Sequence, residues 1–422
     1  MWRAPPRPRP RPPRPSGHDL ARRIIESVID LETRTAGRPG ALRRAAPALL
    51  GYAAVRALGL LALALWSAAR DKNAYTLLTA RWDSLWYTRV AELGYGYEVR
   101  LPNGDVHSNL AFFPLLPWLE RLGAALSPLS YADAGFVVSL LASLAAAWGI
   151  FAVAEHLHGR RAGVCAVLLW AVLPVGIVQS MAYSESLFTA LAAWSLYAVL
   201  TGRWVTAGLL ASLAGLTRPV GLAVAAAVWA AAIAAFVRNR GDGVPDGARG
   251  PRHAPGEGAR RVLGMVLAPL GAAGYVLWVG HRTGKGPLGY LDVQAGWRNG
   301  FDGGVAFARF VAGRFTSFPS ALAGVALVVG VVLLLWLYVV CVRRRQPLPL
   351  LVYTGVVVAL ALCASSYFGS KPRLLMPAFP LLLPLALSLA RLRTSRSTLV
   401  VGVLAMASAV YGAFWLNGSG PP

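Results

Sequence analysis

"FPSALAGVALVVGVVLLLWLYVVC", residues 318–341, runs for twenty-four positions without a charged side chain. A helix needs about 20 consecutive apolar residues to cross the hydrocarbon core of a bilayer, so this stretch reads as a membrane span. Working outward from it, similar stretches recur at 48–68, 132–154, 162–181, 185–200, 204–217, 220–237, 262–280, 348–366, 373–390 and 397–416, which makes eleven expected spans. The whole chain has the same character. Its 422 residues are 56% hydrophobic and only 14% charged, with a mean hydropathy of +0.54. That is the balance of an all-α integral membrane protein, not of a soluble domain. Alanine and glycine are frequent inside the spans, which suits close helix packing in lipid.

A net charge of +23 would suggest nucleic acid in a soluble protein, so its distribution decides what it means. With the amino terminus in the cytoplasm, 26 of the 41 Lys and Arg residues fall on the inner side and 14 on the outer, with Arg56 inside a span. This excess follows the positive-inside rule. The basicity is therefore a topology signal and an attraction to anionic lipid headgroups, and no nucleic-acid partner is expected. Ten of the 18 acids lie on the outer side or at its span ends, so chemistry is expected on the extracytoplasmic face of the cytoplasmic (plasma) membrane. Cys165, Cys341 and Cys363 lie in or beside spans without metal-ligand spacing, and read as small buried apolar residues.

The organisation along the chain follows. Residues 1–44, beginning "MWRAPPRPRPRPPRPSG", cannot bury a core and are expected to form a disordered cytoplasmic tail. Residues 45–422 form the polytopic domain. Within it, 69–131 and 281–317 are long outer loops, and 238–261 is a Gly/Pro/Arg-rich cytoplasmic linker.

The first outer loop concentrates the costly side chains. In "RWDSLWYTRVAELGYG", residues 81–96, Trp82, Leu85, Trp86, Val90 and Leu93 share the spacing of one helical face. The expectation is an amphipathic helix lying in the outer interface. Asp83 and Tyr87 fall one turn apart on its flank, and an acid in a first turn is held ionised by the helix dipole. A turn-rich stretch with Asp105 and His107 leads to "LAFFPLLPWLERLGAAL", residues 110–126, a second interfacial element. On the plainest reading this loop is a lid, with Asp83 a capping acid and the tryptophans anchors. Against it stand Arg218 in "TRPVGL" and Lys371 and Arg373 in "SKPRLLMPAFP" on the same face. Acids and aromatics facing three cations suit a site that holds a lipid phosphate while a carboxylate acts on its head group. Arg56, near the middle of the first expected span, would cost about 2.5–3.5 kcal/mol if unpaired.

These segments resemble a known family. "RWDSLWYTRVAELGYGYE" followed by "LAFFPLLPWLERL" is similar to the first luminal loop of the GPI mannosyltransferase 2 (PIG-V type) family and its bacterial relatives. "AYSESLFTAL" (182–191), "GLTRPVGL" (215–222) and "KPRLLMPAFPLLLPLAL" (371–387) resemble its later landmarks in the same order, so the likeness spans roughly residues 45–390. The family's "IAxxGY"-like run stands here as "VAELGY". The resemblance implies a GT-C glycosyltransferase that uses a polyprenyl- or dolichyl-phosphate sugar, usually mannose, and inverts the anomeric centre. It carries the catalytic base onto Asp83. Phosphate contacts are then expected from Arg218, Lys371 and Arg373, and sugar or acceptor contacts from Trp82, Tyr87, Asp105 and Glu185. The acceptor is a lipid or envelope glycan. No cofactor is required, though a divalent metal is compatible with the chemistry. The competing class, a lipid or solute transporter, predicts ionisable groups deep within several spans and matched broken helices.

Overall fold

The computed structural model describes residues 39–241, 256–365 and 367–418. The chain separates into two compact units, Met1–Ala46 and Pro47–Pro422. Most of the expected tail, and residues 242–255 of the expected linker, lie outside the described residues; the described flanks of the linker are helical.

Helix α1 (Pro39–Ala68) is followed by the outer segment, which holds α2 (Ala74–Thr79), α3 (Asp83–Leu93), strands β1 (Glu98–Arg100) and β2 (Val106–Ser108), and α4 (Leu115–Leu126). Then come α5 (Tyr131–His158), α6 (Arg160–Ala171), α7 (Ser184–Leu200), α8 (Trp204–Gly215), α9 (Leu222–Gly241), α10 (Glu257–Leu267) and α11 (Leu270–Thr283). The second outer segment contains α12 (Gly289–Gly296), β3 (Gly300–Phe301) and α13 (Val305–Ala312). The chain continues through α14 (Ser320–Arg343), α15 (Leu348–Cys363), β4 (Ala364–Ser365), α16 (Lys371–Leu375), α17 (Leu383–Arg391) and α18 (Thr394–Leu416).

Each expected apolar stretch is helical, but eleven full crossings are not what length and apolarity support. Among the described residues six helices are long and apolar enough to cross a membrane, or seven if the pair Phe368–Leu375 and Phe379–Arg391, bent by 71°, forms one span. Helices α6 and α8 have 12 residues each, about 18 Å of rise against a core of about 30 Å. Apolarity alone could not reveal where a helix stops short inside an apolar stretch.

Small residues set how closely helices approach. Helix α8 packs on both α10 and α11. A Cβ on Gly208 would lie 2.4 Å from the Gly264 carbonyl oxygen, and one on Gly271 would lie 1.8 Å from that of Ser212. These backbones touch, as small-residue interfaces in lipid allow. Arg56 is met within the same logic. It is buried and donates to the carbonyls of Ala171 and Gly176, where α6 ends. Helix ends leave carbonyls unsatisfied, and a cation there also answers the helix dipole. Tyr52 beside it stacks on Trp170 with ring centroids 5.5 Å apart.

In the first outer segment β1 and β2 form an antiparallel hairpin in the register Glu98↔Ser108, Val99↔His107 and Arg100↔Val106. Its turn needs Gly104 at φ +86, a conformation that glycine adopts without a Cβ penalty. Strands β3 and β4 pair Gly300 with Ser365 and Phe301 with Ala364, fastening the second outer segment to the end of α15. Helix α3 forms as expected. Its buried residues are Ser84, Tyr87, Val90 and Ala91, while Leu85 and Leu93 are exposed. Spacings of three and four residues satisfy two neighbouring faces of one helix, and the helices α2, α4 and α5 that pack on α3 are invisible in the local pattern.

A Gly271→Val variant is expected to cost about 1–3 kcal/mol through overpacking and to lower the thermal midpoint in detergent. Gly274→Ala, which meets nothing within 4 Å, is expected to leave that midpoint unchanged.

Candidate active site

Asp83 opens α3, and the residue before it is strained. Trp82 has φ 53 and ψ −126, a region that costs a side-chain-bearing residue of order 1–3 kcal/mol and is found where function demands it. Neighbours hold it there. The Arg81 guanidinium lies 4.3 Å from the Trp82 ring centroid. The Ser84 hydroxyl donates to the Arg81 carbonyl at 2.6 Å and accepts from the Arg81 N–H at 3.2 Å. The Asp83 N–H donates to the Tyr183 hydroxyl at 3.4 Å.

Asp83 meets cations from two distant segments. Its Oδ2 is 2.7 Å from Arg373 Nη1. Arg373 belongs to the short α16, which begins Lys371–Pro372, and its Nε lies 3.2 Å from Glu185 Oε1. Glu185 sits in the first turn of α7, where the helix dipole favours an acid, and it also pairs with Arg218 Nη1. The Arg373 guanidinium stands 5.0 Å from the Tyr183 ring centroid. Two carboxylates and two guanidiniums thus form one chain of contacts: Asp83, Arg373, Glu185, Arg218.

Asp83, Tyr87, Arg218 and Arg373 line one side of a cavity of about 550 Å³. Tyr87 is buried, and its hydroxyl lies 2.7 Å from the Ser184 Oγ. Burial pushes its phenol well above its ordinary pKa, so it is a neutral hydrogen-bonding group. His107, Phe112, Gln294, Trp297 and Asn299 also line the cavity, and Val357, Leu360, Ala361 and Tyr367 add apolar surface.

The part of the lining from His107 to Asn299 is built by interlocking the two outer segments. The His107 and Trp297 rings stack 4.0 Å apart, and Trp86 stacks on Phe112 at 5.7 Å with Trp297 edge-on at 4.8 Å. The Trp297 indole N–H donates to the Ser108 carbonyl at 3.0 Å. Helix α12 ends in a Schellman pattern: Asn299 N–H reaches Gln294 O at 2.9 Å and Arg298 N–H reaches Ala295 O at 2.8 Å. Arg298 takes the left-handed position at φ 55, where glycine is usual, and Asp105 holds it at 2.6 Å. Burial lowers the His107 pKa, partly offset by Asp105, so the imidazole is neutral at pH 7.

Of the residues expected at the site, Asp83, Tyr87, Arg218 and Arg373 reach the cavity together. Glu185 does not line the cavity; its side chain is 1% exposed and pairs with both arginines. Asp105 is engaged by Arg298, and Trp82 stacks with Arg81; neither lines the cavity. Lys371 is drawn elsewhere. Its Nζ donates to the carbonyls of Ala361 and Ala364 at 2.7 and 2.9 Å and lies over the Phe307 ring at 4.9 Å. It caps α15, whose last carbonyls lack helical partners. Gln294, Trp297 and Asn299 went unnoticed as site residues. The available signal was "YLDVQAGWRNG" (290–300), a polar and aromatic cluster inside the second long outer loop.

With this geometry in place, comparison with known proteins is direct. Residues 60–239 match the family described as Mannosyltransferase (PIG-V). Asp83, Tyr87, Glu185 and Arg218 lie within the matched residues, whereas Arg373 and the 290–299 wall lie beyond them. The chain is 33% identical over 153 residues to GPI alpha-1,6-mannosyltransferase 2 of Rattus norvegicus, and equally to that of Mus musculus. The match covers 34% of this chain and 29% of each relative, so this chain spans about three tenths of the length of the curated relatives it matches. Among solved structures, ArnT from Cupriavidus metallidurans bound to undecaprenyl phosphate has a TM-score of 0.48 at 16% identity, covering 84% of this chain and 62% of that one. The Archaeoglobus fulgidus oligosaccharyltransferase has a TM-score of 0.45 at 15% identity, covering 87% of this chain and 53% of that one.

Glu185→Gln is expected to destabilise the protein by about 3–5 kcal/mol, because it leaves two buried guanidiniums sharing no full charge at that point. Asp105→Asn, in a pair whose arginine is exposed, is expected to cost at most about 1 kcal/mol. Thermal unfolding of the purified variants reads both.

Proposed function

We propose that this chain is a membrane glycosyltransferase that moves a sugar, mannose by its family match, from a polyprenyl-phosphate donor to an acceptor hydroxyl on the extracytoplasmic face, with inversion. The observation that carries this reading is the convergence of one carboxylate, Asp83, and two guanidiniums, Arg218 and Arg373, on a single cavity with an apolar side. Asp83 takes the proton from the acceptor hydroxyl as that oxygen attacks the anomeric carbon. The bond from that carbon to the phosphate oxygen breaks, and the leaving phosphate gains charge. Arg218 and Arg373 meet that charge where it develops, and guanidiniums match phosphate geometry with paired N–H donors. The apolar side formed by Val357, Leu360 and Ala361 suits the first isoprene units of the lipid. The neutral Tyr87, Gln294 and Asn299 offer hydrogen bonds to sugar hydroxyls, and the aromatic wall offers flat apolar surface.

The charge distribution supports placing this site outside the cytoplasm, since the outer segments build it and the inner ones carry most of the basic residues. The transporter reading has no comparable observation behind it. Arg56, the charge deepest in an expected span, is engaged by backbone carbonyls and does not face the cavity.

The test is transfer of radiolabelled mannose from polyprenyl-phosphate mannose by purified protein in liposomes supplied with membrane-lipid and glycan acceptors. Asp83→Asn is expected to slow transfer at least about 100-fold, the usual worth of a general base. Transfer by that variant at the wild-type rate would show that Asp83 is not the base, and label crossing the bilayer without transfer would favour a transporter.

A further inference from the structure

Asp83 is occupied in this structure. The carboxylate that must accept a proton lies 2.7 Å from Arg373 Nη1. The group that must meet the acceptor hydroxyl is therefore already engaged.

The contact has the features of one that can be exchanged. Arg373 has two edges in different circumstances. Its Nε faces Glu185, whose side chain is 1% exposed and shared with Arg218. Its Nη1 faces Asp83, whose side chain is 26% exposed at the cavity. Charge holds both edges, yet neither Nε nor Nη1 makes a hydrogen bond of good geometry with a partner among the described residues. Buried N–H donors left without acceptors are costly. A phosphate oxygen entering the cavity supplies both a charge and the missing acceptor.

The charges give the exchange its direction. Asp83, Glu185, Arg373 and Arg218 together carry two negative and two positive charges, so the chain of contacts is neutral without substrate. The phosphodiester of a lipid-linked sugar adds one negative charge. Glu185 is enclosed and already committed to both arginines, so the anion that gives way is the exposed one.

We infer that the donor phosphate displaces Asp83 from Arg373, so that donor binding itself converts a masked carboxylate into the free base that the acceptor meets. This inference rests on the transferase reading above. It makes the Asp83–Arg373 pair a self-inhibitory contact and orders the reaction: the donor enters first, and the acceptor hydroxyl finds an active base only afterwards. A carboxylate that stays masked until the sugar is in place has no reason to activate water in the empty cavity.

The exchange is tested by binding, without turnover. The probe is sugar-free undecaprenyl phosphate titrated into protein in phosphatidylcholine nanodiscs, for wild type, Asp83→Asn, Arg373→Gln and the double variant, each checked to be folded by a cooperative thermal transition above the temperature of the titration. If Asp83 competes with phosphate for Arg373, Asp83→Asn binds about fivefold more tightly than wild type, the equivalent of about 1 kcal/mol. In the Arg373→Gln background the same substitution gains less than about twofold, because the contested guanidinium is gone. Equal gains in both backgrounds mean general charge repulsion and overturn the exchange, as does no gain in either; the transferase reading survives both results. Asp83→Ala repeats the comparison should the Asn variant fold poorly. Absence of saturable binding by wild type, relative to phosphatidylcholine alone, overturns the transferase reading and the inference together.

Discussion

A carboxylate enclosed in apolar surroundings must find positive charge or lose its own, and Glu185 finds two guanidiniums. Isolated in such a place it would cost several kcal/mol. Satisfying it draws together the start of α7, the Arg218 turn between α8 and α9, and the short α16, and α16 in turn presents Arg373 to Asp83. Glu185, with a side chain 1% exposed, thus joins the two cations of the cavity.

The second constraint is mechanical. The first outer segment supplies Asp83 and Tyr87, while the second supplies Gln294, Trp297 and Asn299, and the cavity exists only where the two interlock. Ring stacking of His107 on Trp297, the Trp297–Ser108 hydrogen bond and the Asp105–Arg298 pair perform that fastening. Asp105 therefore belongs to the frame of the site. The strained Trp82, directly before Asp83, shows the same economy at the level of the backbone: packing on both sides holds an unfavourable conformation that aims the carboxylate.

Much of this was legible in local sequence, because the responsible physics is local. Apolar runs show where helices form in lipid, and the density of aromatics and acids at 81–96 marks the loop that carries Asp83. What local sequence could not show was competition. Lys371 and Arg373 stand two positions apart and look equivalent, but one side chain meets the unsatisfied carbonyls ending α15 and the other meets two carboxylates. Trp86 fits an interfacial stripe as well as an aromatic cluster, and the choice lies with Phe112 and Trp297.

By itself the sequence determined the membrane class, the positions of the helical stretches and the candidacy of Asp83, all of which depend on composition and on neighbours within a few residues. The tertiary structure decided where helices end inside the apolar stretches, which charges share the cavity, and that Glu185 lies buried between Arg218 and Arg373. The reason is distance along the chain. Asp83, Glu185, Arg218 and Arg373 span 290 positions, and an ion pair falls off over a few ångströms, so only the folded arrangement of α3, α7 and α16 could say which of the chain's charges would meet.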